Sequence, residues 1–207
     1  MAQDSNFHCS GTDVYFINGY DGHFMDVPNC PRNVIDTVTL PAVVMAKVKA
    51  GLIARVGLDF YKRLVFDECH EIIVSKNTEN SCGSIKYAVV YNFIVDGSMT
   101  YGFRVFTDAA GNIARPLPLP NVSTNKEFGK LITGCEAIAL AEKDTRYTGM
   151  ISSVTLEYSG KENAFIWEVM KDNNDKFVRF VIINAVTGSI TGYKKHKIRP
   201  MVNPRYF

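Results

Sequence analysis

Two phrases of this chain share one spacing. Phe103-Arg-Val-Phe-Thr-Asp-Ala-Ala-Gly-Asn-Ile113 is answered by Phe180-Val-Ile-Ile-Asn-Ala-Val-Thr-Gly-Ser-Ile190, with Phe, Gly and Ile at a common offset of 77 residues (103 to 180, 111 to 188, 113 to 190). A fixed offset over three anchors indicates two copies of one structural unit. The architecture is therefore more legible than the chemistry.

The second unit has the cleaner grammar. Thr124-x-x-Glu127 reads as a capping box at a helix start, its side chains answering orphan N–H groups. Phe128, Leu131, Ile132, Cys135, Ile138 and Ala139 then form one apolar stripe at helical spacing. Strands follow over 150–158, 164–170, 176–184 and 190–197, the first alternating in period two. A turn at Asn184-Ala-Val-Thr-Gly188 calls for the left-handed backbone that glycine adopts. Ile113 and Ile190, just past the two turns, are expected to re-enter the core.

In the first unit, Met45, Val48, Leu52, Val56, Phe60 and Leu64 predict a helix over 41–64. Gly57 leaves a rival reading, a helix that ends there. Strands are expected at 69–75, 85–95 and 99–107, the last two joined at Asp96-Gly-Ser98. The fold class is thus α+β: two tandem units, each one helix packed on an antiparallel sheet of about four strands. The expected boundaries are an appendage over 1–38 with one short strand, a first unit over 39–115, a stiff Pro-rich linker over 116–122, a second unit over 123–199 and a tail over 200–207.

Residues 125–194, above all Ala164-Phe-Ile-Trp-Glu-Val169 with Asn184-Ala-Val-Thr-Gly-Ser-Ile190, resemble the PepSY family. That family sets a helix before strands, then an aromatic-x-Val strand, then an Asp-x-x-x-Gly-x-Ile-like turn. Asn184 stands where the family usually has Asp. A divergent first copy over 41–115 is a further inference. The resemblance implies cystatin-like units and a non-enzymatic, protein-binding role in the bacterial envelope, in its narrower form the restraint or inhibition of a protease. It carries over no catalytic residue and no cofactor. It also implies an extracytoplasmic location, in the periplasm or at the cell surface, with a leader removed. The opening Met-Ala-Gln-Asp-Ser-Asn has no signal-peptide pattern and by itself fits the alternative, a cytoplasmic protein.

Apolar residues make up 46% of the 207 and aromatics 12%, enough for a substantial core. The net charge of +2 gives no basis for a nucleic-acid partner. No apolar run approaches the ~18–20 residues of a membrane helix. Cys135 lies on the helical stripe and reads as a small core residue. Cys9, Cys30, Cys69 and Cys82 form either two disulfides, in one of three pairings, or four reduced thiols.

Chemical constellations are sparse. Cys69 and His70 are neighbours on a strand and point to opposite faces, which excludes a direct nucleophile–base pair. His8, Cys9 and Cys30 lack the close spacing of zinc ligands. Asp13, Asp21 and Asp26 do not form a calcium loop. Lys194, Lys195, Lys197, Arg199 and Arg205 make the one dense basic run, read as a solvated strand end and tail. The segments 85–95 and 176–184 are apolar on both faces, so their second face needs a cover: the other repeat, the N-terminal segment or a partner chain. Tyr91, Phe93, Tyr101, Phe165 and Trp167 are therefore the candidate interaction surface, for another protein or for self-association through a sheet face or edge. The alternative is a small-ligand carrier or an enzyme using a cavity between helix and sheet, which would draw on Asp67, Glu68, His70 or tyrosines.

Overall fold

The computed structural model describes residues 5–9, 12–16, 19–20, 32–36, 39–73, 82–96, 99–173 and 176–197. The described residues form an α+β fold of two helices and two largely antiparallel sheets. The chain opens with β1 (Ser5–Cys9), β2 (Thr12–Phe16), β3 (Gly19–Tyr20) and β4 (Arg32–Ile35). Helix α1 (Ala42–Tyr61) leads into β5 (Val65–Ile72), β6 (Tyr87–Asp96) and β7 (Met99–Thr107). Helix α2 (Gly134–Lys143) leads into β8 (Met150–Ser159), β9 (Ala164–Asp172), β10 (Phe177–Asn184) and β11 (Ile190–Lys197).

One sheet has the order β3-β7-β6-β5-β4 and the other β1-β2-β8-β9-β10-β11. Each holds an antiparallel four, β7-β6-β5-β4 and β8-β9-β10-β11, extended by N-terminal strands. β2 joins β8 in parallel, and β3 joins β7 in parallel. The expected appendage with one short strand is instead four short strands that contribute to both sheets. Alternation over two or five residues is too brief to register as a strand pattern.

Helix α1 buries Val44, Val48, Leu52, Val56 and Phe60, one residue per turn. Both readings of Gly57 are partly realised. Its φ of 79° and ψ of 160° break the helix, which then resumes to Tyr61. Next to the break, the Arg55 carbonyl accepts the Val122 N–H at 2.9 Å.

The second helix begins nine residues later than the sequence grammar suggests. Its capping box is Thr133 with Glu136, not Thr124 with Glu127: the Glu136 N–H donates to the Thr133 hydroxyl at 3.1 Å, and the Glu136 carboxylate accepts the Thr133 N–H at 2.7 Å. Residues 121–132 are turns instead. Asn163 explains part of this, accepting the Asn121 N–H and donating to the Thr124 hydroxyl. Downstream, the Ile132 N–H is committed to the Ala185 carbonyl.

The repeated glycines occupy matching places. Gly111 (φ 82°) and Gly188 (φ 70°) both end a turn closed by a side-chain oxygen, of Asp108 and Asn184 respectively. Each packs on the helix of its own half: a Cβ would meet the Val44 Cα in one and the Leu140 Cδ1 in the other. The isoleucines do not match. Ile113 is half-buried against Gly51, whereas Ile190 is exposed.

A single apolar cluster spans both halves. Phe60, Phe93, Tyr101 and Phe165 meet ring to ring, with centroids 5.2 Å apart for Phe60–Phe93 and again for Tyr101–Phe165. The proline segment belongs to this interior. Leu117, Pro118, Leu119 and Pro120 are buried, and the Pro118 carbonyl accepts the Tyr101 hydroxyl at 3.0 Å. The segment read as a stiff linker is thus packed into the interior.

Cysteine pairing also departs from expectation. Cys135, read as a core thiol, is bonded to Cys9, with Cα atoms 5.5 Å apart. Cys82 is disulfide-bonded too, and Cys69 is free and buried. Helical spacing put Cys135 on an apolar face, and that same face brings it to β1. Cys30 lies outside the described residues.

Candidate binding groove and sheet edge

The five aromatic residues expected at an interaction surface build the core instead. Phe93, Tyr101, Phe165 and Trp167 have no exposed surface, and Tyr91 is 3% exposed. The Trp167 indole donates to the Ile132 carbonyl at 3.2 Å, consistent with a packing role. Two-sided apolarity does have a cover over β6. Its second face packs Ala88 into a small cluster with Ile72, Cys82, Ile85 and Phe106.

The space between helices and sheets is thus filled by side chains. A groove of about 760 Å³ lies on the other face of the six-stranded sheet. Its position follows from strand register. Glu157 on β8 is opposite Ile166 on β9, Glu168 is opposite Ile182 on β10, and Ile182 is opposite Gly192 on β11. Side chains alternate across a sheet, so these residues share the face away from Phe165 and Trp167. Ile166 and Ile182, each 6% exposed, form an apolar floor. Glu157, Glu162, Glu168 and Lys194 contribute charge to the lining, and Lys194 and Glu168 are ion-paired.

Gly192 is the informative residue. It lies inside a strand, where glycine weakens pairing and often marks a close approach by a ligand or another backbone. It also sits beside a bulge, where the β10–β11 register shifts between Ile182 and Ile183, yet the space around it admits a side chain. Its φ lies outside the left-handed range, and a Cβ would meet Ile182 at an ordinary 3.8 Å. The missing side chain keeps the groove open along β11.

β11 is also an edge. It pairs with β10 along one side, and no other described strand pairs with it. Past the groove it carries Lys195, whose ammonium lies 4.0 Å from the Phe177 ring centre, then His196 and Lys197. Edge lysines discourage indiscriminate strand pairing. Arg199 and Arg205 lie outside the described residues, as do Asp21 and Asp26.

Of the groups named for the enzymatic alternative, Tyr158 and Tyr193 line this groove, while Asp67, Glu68 and His70 lie on β5 of the first half. His70 Nε2 is 2.7 Å from Glu68 Oε1, its ring buried on β5 and its Nδ1 without a partner. Asp67 accepts from Asn92 at 2.9 Å. Burial first, then the Glu68 charge, pushes the Cys69 thiol up to about 11, so it is neutral at physiological pH. Cys9, considered as a zinc ligand, is consumed by its disulfide. Among the described residues no group of His, Cys, Asp and Glu is placed to hold a metal ion.

Sequence reasoning missed Glu157, Ile166, Glu168, Ile182 and Gly192 as a set. The available signal was parity: they fall on one face of four successive strands once the hairpin registers are fixed.

No family model matches the chain, and no curated protein matches it. One solved structure, a "putative lipoprotein" from Clostridium difficile 630, is 14% identical and aligns over 67% of this chain and 86% of that one, with a TM-score of 0.32. A likeness at that level carries no statement about fold or function. No described helix is long and apolar enough to cross a membrane.

Proposed function

We propose that this chain is a non-enzymatic protein-binding module that takes an extended polypeptide along β11, with ligand side chains entering the groove over Gly192. The observation that carries the reading is a strand glycine with room for a side chain, on an edge strand whose bulge and missing side chain leave a groove of about 760 Å³ beside it. Strand addition to such an edge draws affinity from main-chain hydrogen bonds and specificity from pockets under alternate side chains. The floor of Ile166 and Ile182 favours an apolar ligand residue. The run Lys194–Lys197 favours acidic residues further along the ligand.

Two disulfides support an oxidising compartment, hence the bacterial envelope or cell surface. Tandem cystatin-like units and PepSY kinship are the finer form of the fold reading. They are supported by the matching turns at Gly111 and Gly188. Restraint of a protease is the narrower form of the function and rests on that resemblance alone.

The test is selection of extended peptides from a random library on the purified chain, repeated on Gly192→Trp. The indole would fill the groove without entering the core. Peptides that bind the native chain and are lost by Gly192→Trp support the proposal. Peptides that bind both forms equally contradict it.

A further inference from the structure

The six-stranded sheet has a second, concealed edge at the far side of its antiparallel four. β8 is covered there by the chain's own β2, through the described pairs Tyr15↔Ser153 and Phe16↔Val154, two along a ten-residue strand. β3 covers the neighbouring β7 through two further pairs, Gly19↔Tyr101 and Tyr20↔Gly102. β8 also changes register between Ile151 and Ser153, next to the point where β2 docks. The shift belongs to the β8–β9 ladder and leaves the Ser152 hydroxyl buried without a partner.

A covalent tie also holds this segment. β1 pairs with β2 along five residues, and its last residue, Cys9, is bonded to Cys135 in the first turn of α2. The bond fastens the β1–β2 hairpin to the body across 126 residues of sequence. Cys9 is buried, whereas Cys135 is partly exposed and is the more accessible of the two. The thiolate freed there would lie at a helix N-terminus, which stabilises it.

We propose that the Cys9–Cys135 bond is a redox latch over the β8 edge, and that the strand this edge accepts when the latch opens is the N-terminal strand of a second copy of the chain. The fit is given by the cis arrangement itself, because a second copy presents the same Thr12–Phe16 backbone in the same parallel sense. Opening needs a dithiol reductant. One of its thiolates attacks the Cys135 sulfur, the sulfur–sulfur bond breaks, and Cys9 leaves as a thiolate and takes a proton. The reductant's second thiol resolves the mixed disulfide, releasing Cys135 and leaving the reductant as a cyclic disulfide. Two electrons pass from the dithiol to the pair.

The experiment uses a fluorescent peptide of residues 5–20 carrying Cys9→Ser, titrated against the oxidised chain, the dithiol-treated chain and Cys9→Ser/Cys135→Ser. Amide exchange is followed in parallel. Peptide affinity should rise at least about tenfold when the latch is open, and the Ser153 and Val154 amides should exchange at least about tenfold faster, while β9 and β10 stay protected. Equal affinity in all three forms overturns the proposal. So does a bond that resists the dithiol, or loss of protection throughout the double variant, which would make the bond a clamp on the whole fold. Gly192→Trp on β11 should leave this binding unchanged, which separates its failure from that of the groove proposal.

Discussion

Arg55 of α1 donates to the Tyr158 hydroxyl at the far end of β8, Nη2 to oxygen 3.0 Å, and its Nε donates to the Leu119 carbonyl at 2.7 Å. One guanidinium thus joins the helix of the first half, the proline segment and the hairpin of the second. Bonds to a charged donor contribute roughly 1.5–3 kcal/mol each. Arg55→Ala should therefore destabilise the chain by about 2–4 kcal/mol in denaturant unfolding, with loss of both halves in one transition. Arg55→Lys should recover little, since an ammonium lacks the planar fork that reaches both acceptors. Two separate transitions in the variant would also be informative, because they would show that Arg55 couples otherwise independent units.

Gly111 has a backbone neighbour where a side chain would go. A Cβ there would lie 2.8 Å from the Val44 Cα, and φ is 82°. Gly83 also has positive φ, 56°, but meets nothing within 4 Å. Gly111→Ala should cost well over about 2 kcal/mol, combining left-handed strain with displacement of α1, while Gly83→Ala should cost only about 1 kcal/mol. Thermal unfolding of the two variants side by side gives the comparison.

Asp108 and Glu136 are held below the ordinary carboxylate range. The Asn112 side chain and N–H do this for Asp108, and the Thr133 N–H and hydroxyl for Glu136. A depressed folded pKa means the unfolded chain binds more protons in this window. The stabilisation is then present above the ordinary carboxylate pKa and is lost as pH falls through the lowered folded values. Carbon-detected titration should find both carboxylates ionised at a pH where unfolded Asp and Glu are half protonated. Asp108→Asn should flatten part of the acid limb of the stability curve.

Cys69 behaves oppositely. With its thiol pushed up to about 11, the folded state holds the proton longer than the unfolded state. Any contribution to stability is complete below the ordinary thiol pKa and is lost as pH climbs toward about 11. In the native chain at pH ~8 a thiol reagent should label Cys69 at least about a hundredfold more slowly than in denaturant, on the thiolate fraction alone. Rapid native labelling would contradict its burial.

Period and pairing were legible in sequence where stretches were long. Strands β8 to β11 and the stripe Val48–Phe60 follow from patterns that repeat several times. The turn glycines were legible because left-handed backbone selects them chemically. The start of α2 was not, since Thr124-x-x-Glu127 and Thr133-x-x-Glu136 obey the same local rule and a tertiary partner, Asn163, decides between them. Nor could two-residue ladders such as β3 on β7 be read, as they have no period at all. The aromatic strands were read as a surface because two of the segments are apolar on both faces, with the other repeat as one possible cover. The other half covers them, which is information held in the packing of Phe165 against Tyr101 and not in either segment. The groove was hidden for a related reason: its residues become neighbours only through hairpin registers.

The most direct measurement of the binding account is amide exchange on β11 in the presence of a library-selected extended peptide. The account predicts slowed exchange within Thr191–Lys195 and a shifted Ile182 methyl signal, both abolished by Gly192→Trp. Protection confined to other strands, or protection of β11 that survives Gly192→Trp, would contradict it.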